Sequence, residues 1–131
     1  MFDSDNIQMN QLRKIDSERI SDKVFELFIT GEDFLYAFES RDGQVIFTNK
    51  RIVIIATKLY TGESVNEIMY YTLAYSQIAN FDITTFKIPH FDHICCWILI
   101  HTKDKASAFF SFIENWDIFL IGKKISEFVL K

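Results

Sequence analysis

The sequence predicts a mainly β domain, a seven-stranded antiparallel barrel or sandwich capped by a C-terminal helix and preceded by an N-terminal helix. Three observations predict it. From residue 34 to 112, apolar side chains recur with period two, and turn residues interrupt them at close, regular spacing. Over 115–131 the spacing becomes helical, with Ile118, Ile121, Ile125 and Phe128 on one stripe. The 131 residues include 14 Phe, 5 Tyr and 2 Trp against only 4 Gly and 1 Pro, which excludes a disordered or collagen-like chain and suits one aromatic-rich core. The length is that of a single domain, 1–131.

The N-terminal part, 1–31, reads as helical. Ile20, Val24, Leu27 and Phe28 share a helix face, Ser17 is the expected N-cap with Glu18 behind it, and Gly31 is the expected stop. The stretch 6–15 reads as a short extra helix or a loose arm, and residues 1–17 receive no role. From Phe34 the period is two: Phe34, Tyr36 and Phe38 alternate with Leu35, Ala37 and Glu39, and Asp42-Gly43 marks a turn. The runs 44–48 and 51–57 flank Asn49-Lys50, a two-residue hairpin loop whose Asn tolerates positive φ. Gly62 punctuates the next loop. Strands follow over 65–72, 78–85, 93–102 and 106–112, with Pro89 in a loop between two of them. The C-terminal helix has Asn115 as N-cap, Asp117 in its first turn and Lys123, Lys124 and Lys131 toward its end, where the dipole favours cations. Gly122 inside that helix costs about 1 kcal/mol against Ala and marks a close backbone contact.

This order of elements is similar to the pleckstrin homology fold. The run Phe47-Thr48-Asn49-Lys50-Arg51-Ile52-Val53-Ile54 resembles the hairpin signature of the bacterial pleckstrin-homology-like family. So do the Gly31-Glu32 lead-in and the ending Ile125-Ser126-Glu127-Phe128-Val129-Leu130. The resemblance covers 18–131 and implies a ring-forming homo-oligomer, which needs two different patches per subunit.

The chemistry-bearing residues point away from catalysis. His90, His93 and His101 lie within 12 residues of sequence that also hold Cys95 and Cys96. Strand alternation puts His93, Cys95, Trp97 and His101 on one face, so a Cys–His pair is conceivable. A small buried cysteine in a core strand is the commoner meaning of that pattern. His90, Asp92, His93 and Cys95 are acceptable zinc-ligand types, but they match no closed ligand spacing, so no metal and no cofactor are predicted. Glycines at 31, 43, 62 and 122 cannot build a phosphate-cradling loop.

Partners follow from charge. With 14 basic and 18 acidic residues the net charge is −4, which argues against nucleic acid and disfavours, without removing, attachment to an anionic lipid surface. A phosphoinositide headgroup needs clustered bases, and the loop Glu39-Ser40-Arg41-Asp42-Gly43 offers one base among two acids. Meander geometry places Arg41 and Lys58 at one end and Lys50 and Arg51 at the other. The longest apolar run, Ile94 to Ile100, is seven residues, well short of the roughly 20 that span a bilayer. The polar start MFDSDN lacks a leader pattern, which with the adjacent, unpaired cysteines predicts a cytoplasmic protein.

Assembly is the strongest functional signal. Ile52 and Ile54 face one way and Val53 and Ile55 the other, so one apolar set must lie outside the barrel. Trp116, Phe119 and Leu120 lie beyond the core stripe of the last helix. The predicted interface is therefore Val53, Ile55, Trp116, Phe119 and Leu120, and the predicted function is a non-enzymatic scaffold that binds itself and an unidentified protein. A lipid- or membrane-surface module is the alternative. Coverage of the outer set by the N-terminal helix is the rival to assembly.

Overall fold

The computed structural model describes residues 6–59, 66–87, 94–113 and 118–130. Over these the strands are β1 (Asn6–Ile15), β2 (Phe34–Ser40), β3 (Gly43–Thr48), β4 (Arg51–Leu59), β5 (Asn66–Ala74), β6 (Ile78–Lys87), β7 (Ile94–Thr102) and β8 (Ser107–Phe112). The helices are α1 (Asp22–Leu27) and α2 (Ile118–Val129). The last seven strands are those the period-two pattern predicts, and Asn49-Lys50 forms the tight β3–β4 connection. Gly62, Pro89, Asn115, Asp117 and Lys131 lie outside the described residues.

The predicted N-terminal helix or arm over 6–15 is an eighth strand. The strand order is β5-β4-β3-β2-β1-β8-β7-β6. β2 to β5 form one antiparallel meander and β6 to β8 another, and β1 joins them, antiparallel to β2 and parallel to β8. The sheet is therefore not wholly antiparallel, and with β5 and β6 as its two edges it is an open sandwich instead of a closed barrel.

The misreading of β1 has a physical cause. Its buried residues Met9, Leu12 and Ile15 are spaced by three, which looks helical. The strand achieves that spacing through a bulge: Met9 pairs with Phe110 and Leu12 with Phe112, so three steps on β1 match two on β8. Gln11 takes φ 59° at the bulge. Met9 and Leu12 then point into the inner core, and Ile15 reaches the opposite face of the sheet.

The predicted helix starting at Ser17 is also shorter. Asp16 caps a 3-10 turn over Ser17–Arg19 by accepting from the Glu18 amide at 3.1 Å. Ser21, accepting from the Lys23 amide at 3.3 Å, caps α1. Only Val24 of α1 is buried, with Ile20 just before it, while Leu27 is exposed.

Two cores result, one on each face of the β2–β4 half. The inner core joins Phe38, Phe47, Ile52 and Ile54 to Ile98, Ile100, Phe110 and Phe112. Edge-to-face contacts link Phe38 to Phe47 and Phe112, and Phe47 to Phe110, which engages four of the 14 phenylalanines. The α2 stripe closes this core: Ile118, Ile121 and Ile125 are buried and Phe128 packs against it, as the helical spacing predicts. A Cβ on Gly122 would sit 2.7 Å from Ile83 Cδ1, the close contact expected there.

The outer core consists of Ile15, Ile20, Val24, Ala37, Ile46, Val53 and Ile55, with Phe28 and Phe34 packed against it. Val53 is fully buried and Ile55 nearly so. The outward set of β4 is thus packed against the chain's own N-terminal segment, the rival to the expected cover by a neighbouring subunit.

Candidate functional site: a buried carboxylate lock and two exposed apolar faces

Glu32, between α1 and β2, has a side chain fully removed from solvent. Its Oε1 accepts from Arg51 Nη2 at 3.0 Å and from the Ile29 amide at 3.1 Å. Its Oε2 accepts from Arg51 Nε at 3.1 Å and from Thr48 Oγ1 at 2.7 Å. The Arg51–carboxylate pair is bidentate, the strong planar geometry for this pair. Burial pushes the Glu32 carboxyl upward, but the bonds from Arg51, Thr48 and the Ile29 amide, with the Arg51 charge, outweigh it and hold it below the ordinary glutamate value.

The same residues tie the N-terminal segment to the β3–β4 hairpin. Arg51 Nη2 donates to the Leu27 carbonyl at 2.6 Å, at the end of α1. Asn49 Nδ2 donates to the Gly31 carbonyl at 2.9 Å, while Asn49 Oδ1 accepts from the Asp33 amide at 2.9 Å. Thr48 Oγ1 also accepts from the amides of Lys50 and Arg51, each at 3.0 Å. Tyr75 donates to the Thr48 carbonyl at 2.6 Å and stacks on Phe128 of α2, with ring centroids 4.7 Å apart. Burial first, and then the Glu32 charge, raise the Tyr75 hydroxyl far above its usual range, so it remains a donor. This knot is a lock, not an acid–base pair: every oxygen of Glu32 is engaged by a structural donor.

The lock explains motifs that sequence reasoning singled out without a role. Gly31-Glu32 and Thr48-Asn49-Lys50-Arg51 meet here. Glu32, Thr48 and Tyr75 were not legible as partners, because their contacts span 16 and 27 positions of chain. Arg51, read as a turn base, is committed to Glu32.

Among the predicted interface residues, Val53 and Ile55 lie in the outer core, and Trp116 lies outside the described residues. Phe119 and Leu120 are 61% and 45% exposed on α2. A second apolar group is exposed at the end of α1 and just after it: Phe25, Leu27 and Ile29, the last at 57%. His90, His93 and the Cys95 side chain lie outside the described residues. His101 faces Asp82 at 3.3 Å on the exposed side of the β6–β7 pair, and Cys96 is buried. No helix among the described residues is long and apolar enough to cross a membrane.

A bacterial PH domain model matches residues 4–129. The chain belongs to the bacterial PH domain family. Two solved structures share the fold of this bacterial PH domain. A DUF1696 family protein with a pleckstrin-homology domain from Shewanella loihica PV-4 superimposes with a TM-score of 0.71 at 18% identity, covering 92% of this chain and 99% of that one. A pleckstrin homology domain from Shewanella amazonensis SB2B gives 0.61 at 17% identity, covering 83% of this chain and 94% of that one. No curated protein matches the chain. The bacterial PH domain assignment therefore carries a fold and an interaction-module character, and the rest must come from surfaces.

Proposed function

We infer that this chain is a non-enzymatic, cytoplasmic interaction module that self-associates head to tail, so that copies close into a ring and present a surface to a protein partner. The observation that carries this reading is the pair of exposed apolar groups on different elements. Phe119 and Leu120 lie on α2, which packs over the inner core, and Phe25, Leu27 and Ile29 lie at the end of the segment that covers the outer core. A ring requires two unlike patches per subunit, and these elements supply two. Large apolar side chains exposed in groups mark interaction surfaces. The outward set of β4 no longer supports the reading, since the chain covers it.

Sedimentation at micromolar concentration tests it. The parent should sediment as a species larger than a monomer. Phe119→Glu with Leu120→Glu should give smaller particles whose circular dichroism and melting match the parent. A monomeric parent overturns the reading, and so does an assembly that survives charges on both apolar groups.

A further inference from the structure

One face of the sheet belongs to neither core. β1, β8, β7 and β6 turn Met9, Phe110, Ile98 and Phe81 toward the inner core, and α2 packs on that side. On the outward side Phe109 of β8 is in register with Leu99 of β7, and Trp97 follows one pair further along, opposite Ser111. The Trp97 and Phe109 ring centroids are 6.0 Å apart, with their planes tilted by 42°. All three apolar side chains are part-exposed. Both helices lie elsewhere, α2 against the inner core and α1 against the outer core of the β2–β4 half. A solvated sheet face is ordinarily polar, so an aromatic pair and a leucine at the centre of one mark an interaction surface.

The fringe around this centre is rich in neutral hydrogen-bonding groups. β1 contributes the exposed amides of Gln8, in register with Phe109, and of Asn10. β6 contributes Asn80, exposed and in register with His101, and Thr84, in register with Trp97. Ser107 Oγ donates to Asn6 Oδ1 at 2.7 Å. Ser111 Oγ and Gln8 Nε2 both donate to Asn10 Oδ1 at 3.4 Å. Asn10 thus accepts twice through one oxygen, and its Nδ2 group remains a donor toward solvent. Asp82 and His101, the acid and the imidazole on this face, meet at 3.3 Å. Beside them opens a shallow depression of about 550 Å³, lined by Asn80, Leu99, His101, Ser107 and, from the β7–β8 turn, Lys105.

The geometry points to a site for a neutral oligosaccharide, with one sugar over the Phe109–Trp97 platform and the next in the depression beside Asn80 and His101. The carbon-bound hydrogens on one face of a pyranose stack on an aromatic ring, and its hydroxyls, each donor and acceptor, match amides and serines. Other ligand classes fit less well. A nucleic acid needs a basic face, whereas the charged groups here are a paired Asp82 and His101 and one lysine, on a chain of net charge −4. An extended peptide that adds to a sheet needs a free edge, whereas β1, β8 and β7 each have a strand on both sides. A second copy needs a broader apolar core than Leu99, Trp97 and Phe109 provide. The site does not use the apolar groups of α1 and α2, so it stands whether or not the chain self-associates. Strand alternation in the sequence places Trp97 and His101 on one face, and the pairing of β7 with β8 and of β8 with β1 adds Phe109 and the amides.

Backbone amide NMR of the full chain, titrated separately with maltohexaose, cellohexaose and N-acetylchitohexaose, tests it. At least one sugar should give saturable shifts clustered at residues 8–10, 80–84, 97–101 and 107–111. Phe109→Ala should weaken that binding about two- to tenfold, the worth of one ring contact, and Phe109→Tyr, which keeps the ring, should bind like the parent. Asn80→Ala trims an exposed side chain, so it should melt like the parent while weakening binding by about the same factor, that of one hydrogen bond. Sedimentation of both alanine variants should match the parent. The absence of saturable shifts with all three sugars overturns the site, and so does binding that Phe109→Ala and Asn80→Ala both leave unchanged. Smaller particles for these variants, with no sugar shifts in the parent, would assign the face to a second copy instead.

Discussion

The two helices cover two different cores by different physics, α2 packing against β6 and β7 over the inner core and α1 lying over the outer face of β2–β4. α2 has 12 residues and buries Ile118, Ile121 and Ile125 in the inner core. Burial of that stripe contributes about 25 cal/mol for each Å² removed from water. α1 has six residues and buries one side chain, Val24. A helix that short is marginal even in a favourable sequence. It is held by polar bonds at both ends. At its start Gln44 accepts from the Ser21 amide at 3.0 Å and donates to the Arg19 carbonyl at 2.8 Å. At its end Arg51 takes the Leu27 carbonyl and Glu32 takes the Ile29 amide. The long amphipathic helix buries a three-residue stripe, whereas the one-and-a-half-turn helix buries one side chain and is tied at both ends by polar bonds.

That contrast can be broken from either side. Ile121→Ala or Ile125→Ala should cost about 2–5 kcal/mol, the range for buried Ile cut to Ala, and lower the melting temperature of the whole domain. A parent-like melt for either would mean that the stripe is not buried. Glu32→Gln should cost about 3 kcal/mol, because it leaves the Arg51 charge partly buried without its partner. Native-state hydrogen exchange should then show residues 16–30 opening before α2, and simultaneous opening of both would remove the distinction between the two covers.

The pH dependence of the lock has a definite sign. The folded Glu32 carboxyl titrates below its ordinary value of 4.5, so its contribution is fully present above that value and is lost as pH falls through the lowered one. The stability gap between parent and Glu32→Gln should therefore be constant from neutral pH down to that value and close below it. A gap that narrows at neutral pH would contradict the assignment. Tyr75→Phe should cost about 1 kcal/mol, the net worth of one hydrogen bond, and should affect both covers, since Tyr75 touches Thr48 and Phe128. The smallest effect is expected at Gly122→Ala. Its new Cβ meets the flexible end of Ile83, and the gain in helix propensity of about 1 kcal/mol offsets the crowding. A loss of more than about 3 kcal/mol there would show a contact that cannot relax.

Local patterns were legible. Period-two alternation located β2 to β8, and the spacing of Ile118, Ile121, Ile125 and Phe128 located α2 and its buried side. Asn49-Lys50 placed the hairpin. Each of these signals lies within one element, where side-chain periodicity and backbone period coincide.

Tertiary structure alone decided three things. It made 6–15 a strand, because a bulge at Gln11 converts a spacing of three into sheet pairing with β8, a partner about a hundred residues away. It covered Val53 and Ile55 with Ile20 and Val24, although strand alternation only says that an outward apolar set exists and not what lies over it. It brought Glu32 to Arg51 and Thr48. Periodicity reports which way a side chain points. The partner it meets depends on the order in which strands pair, and that order is a property of the whole chain.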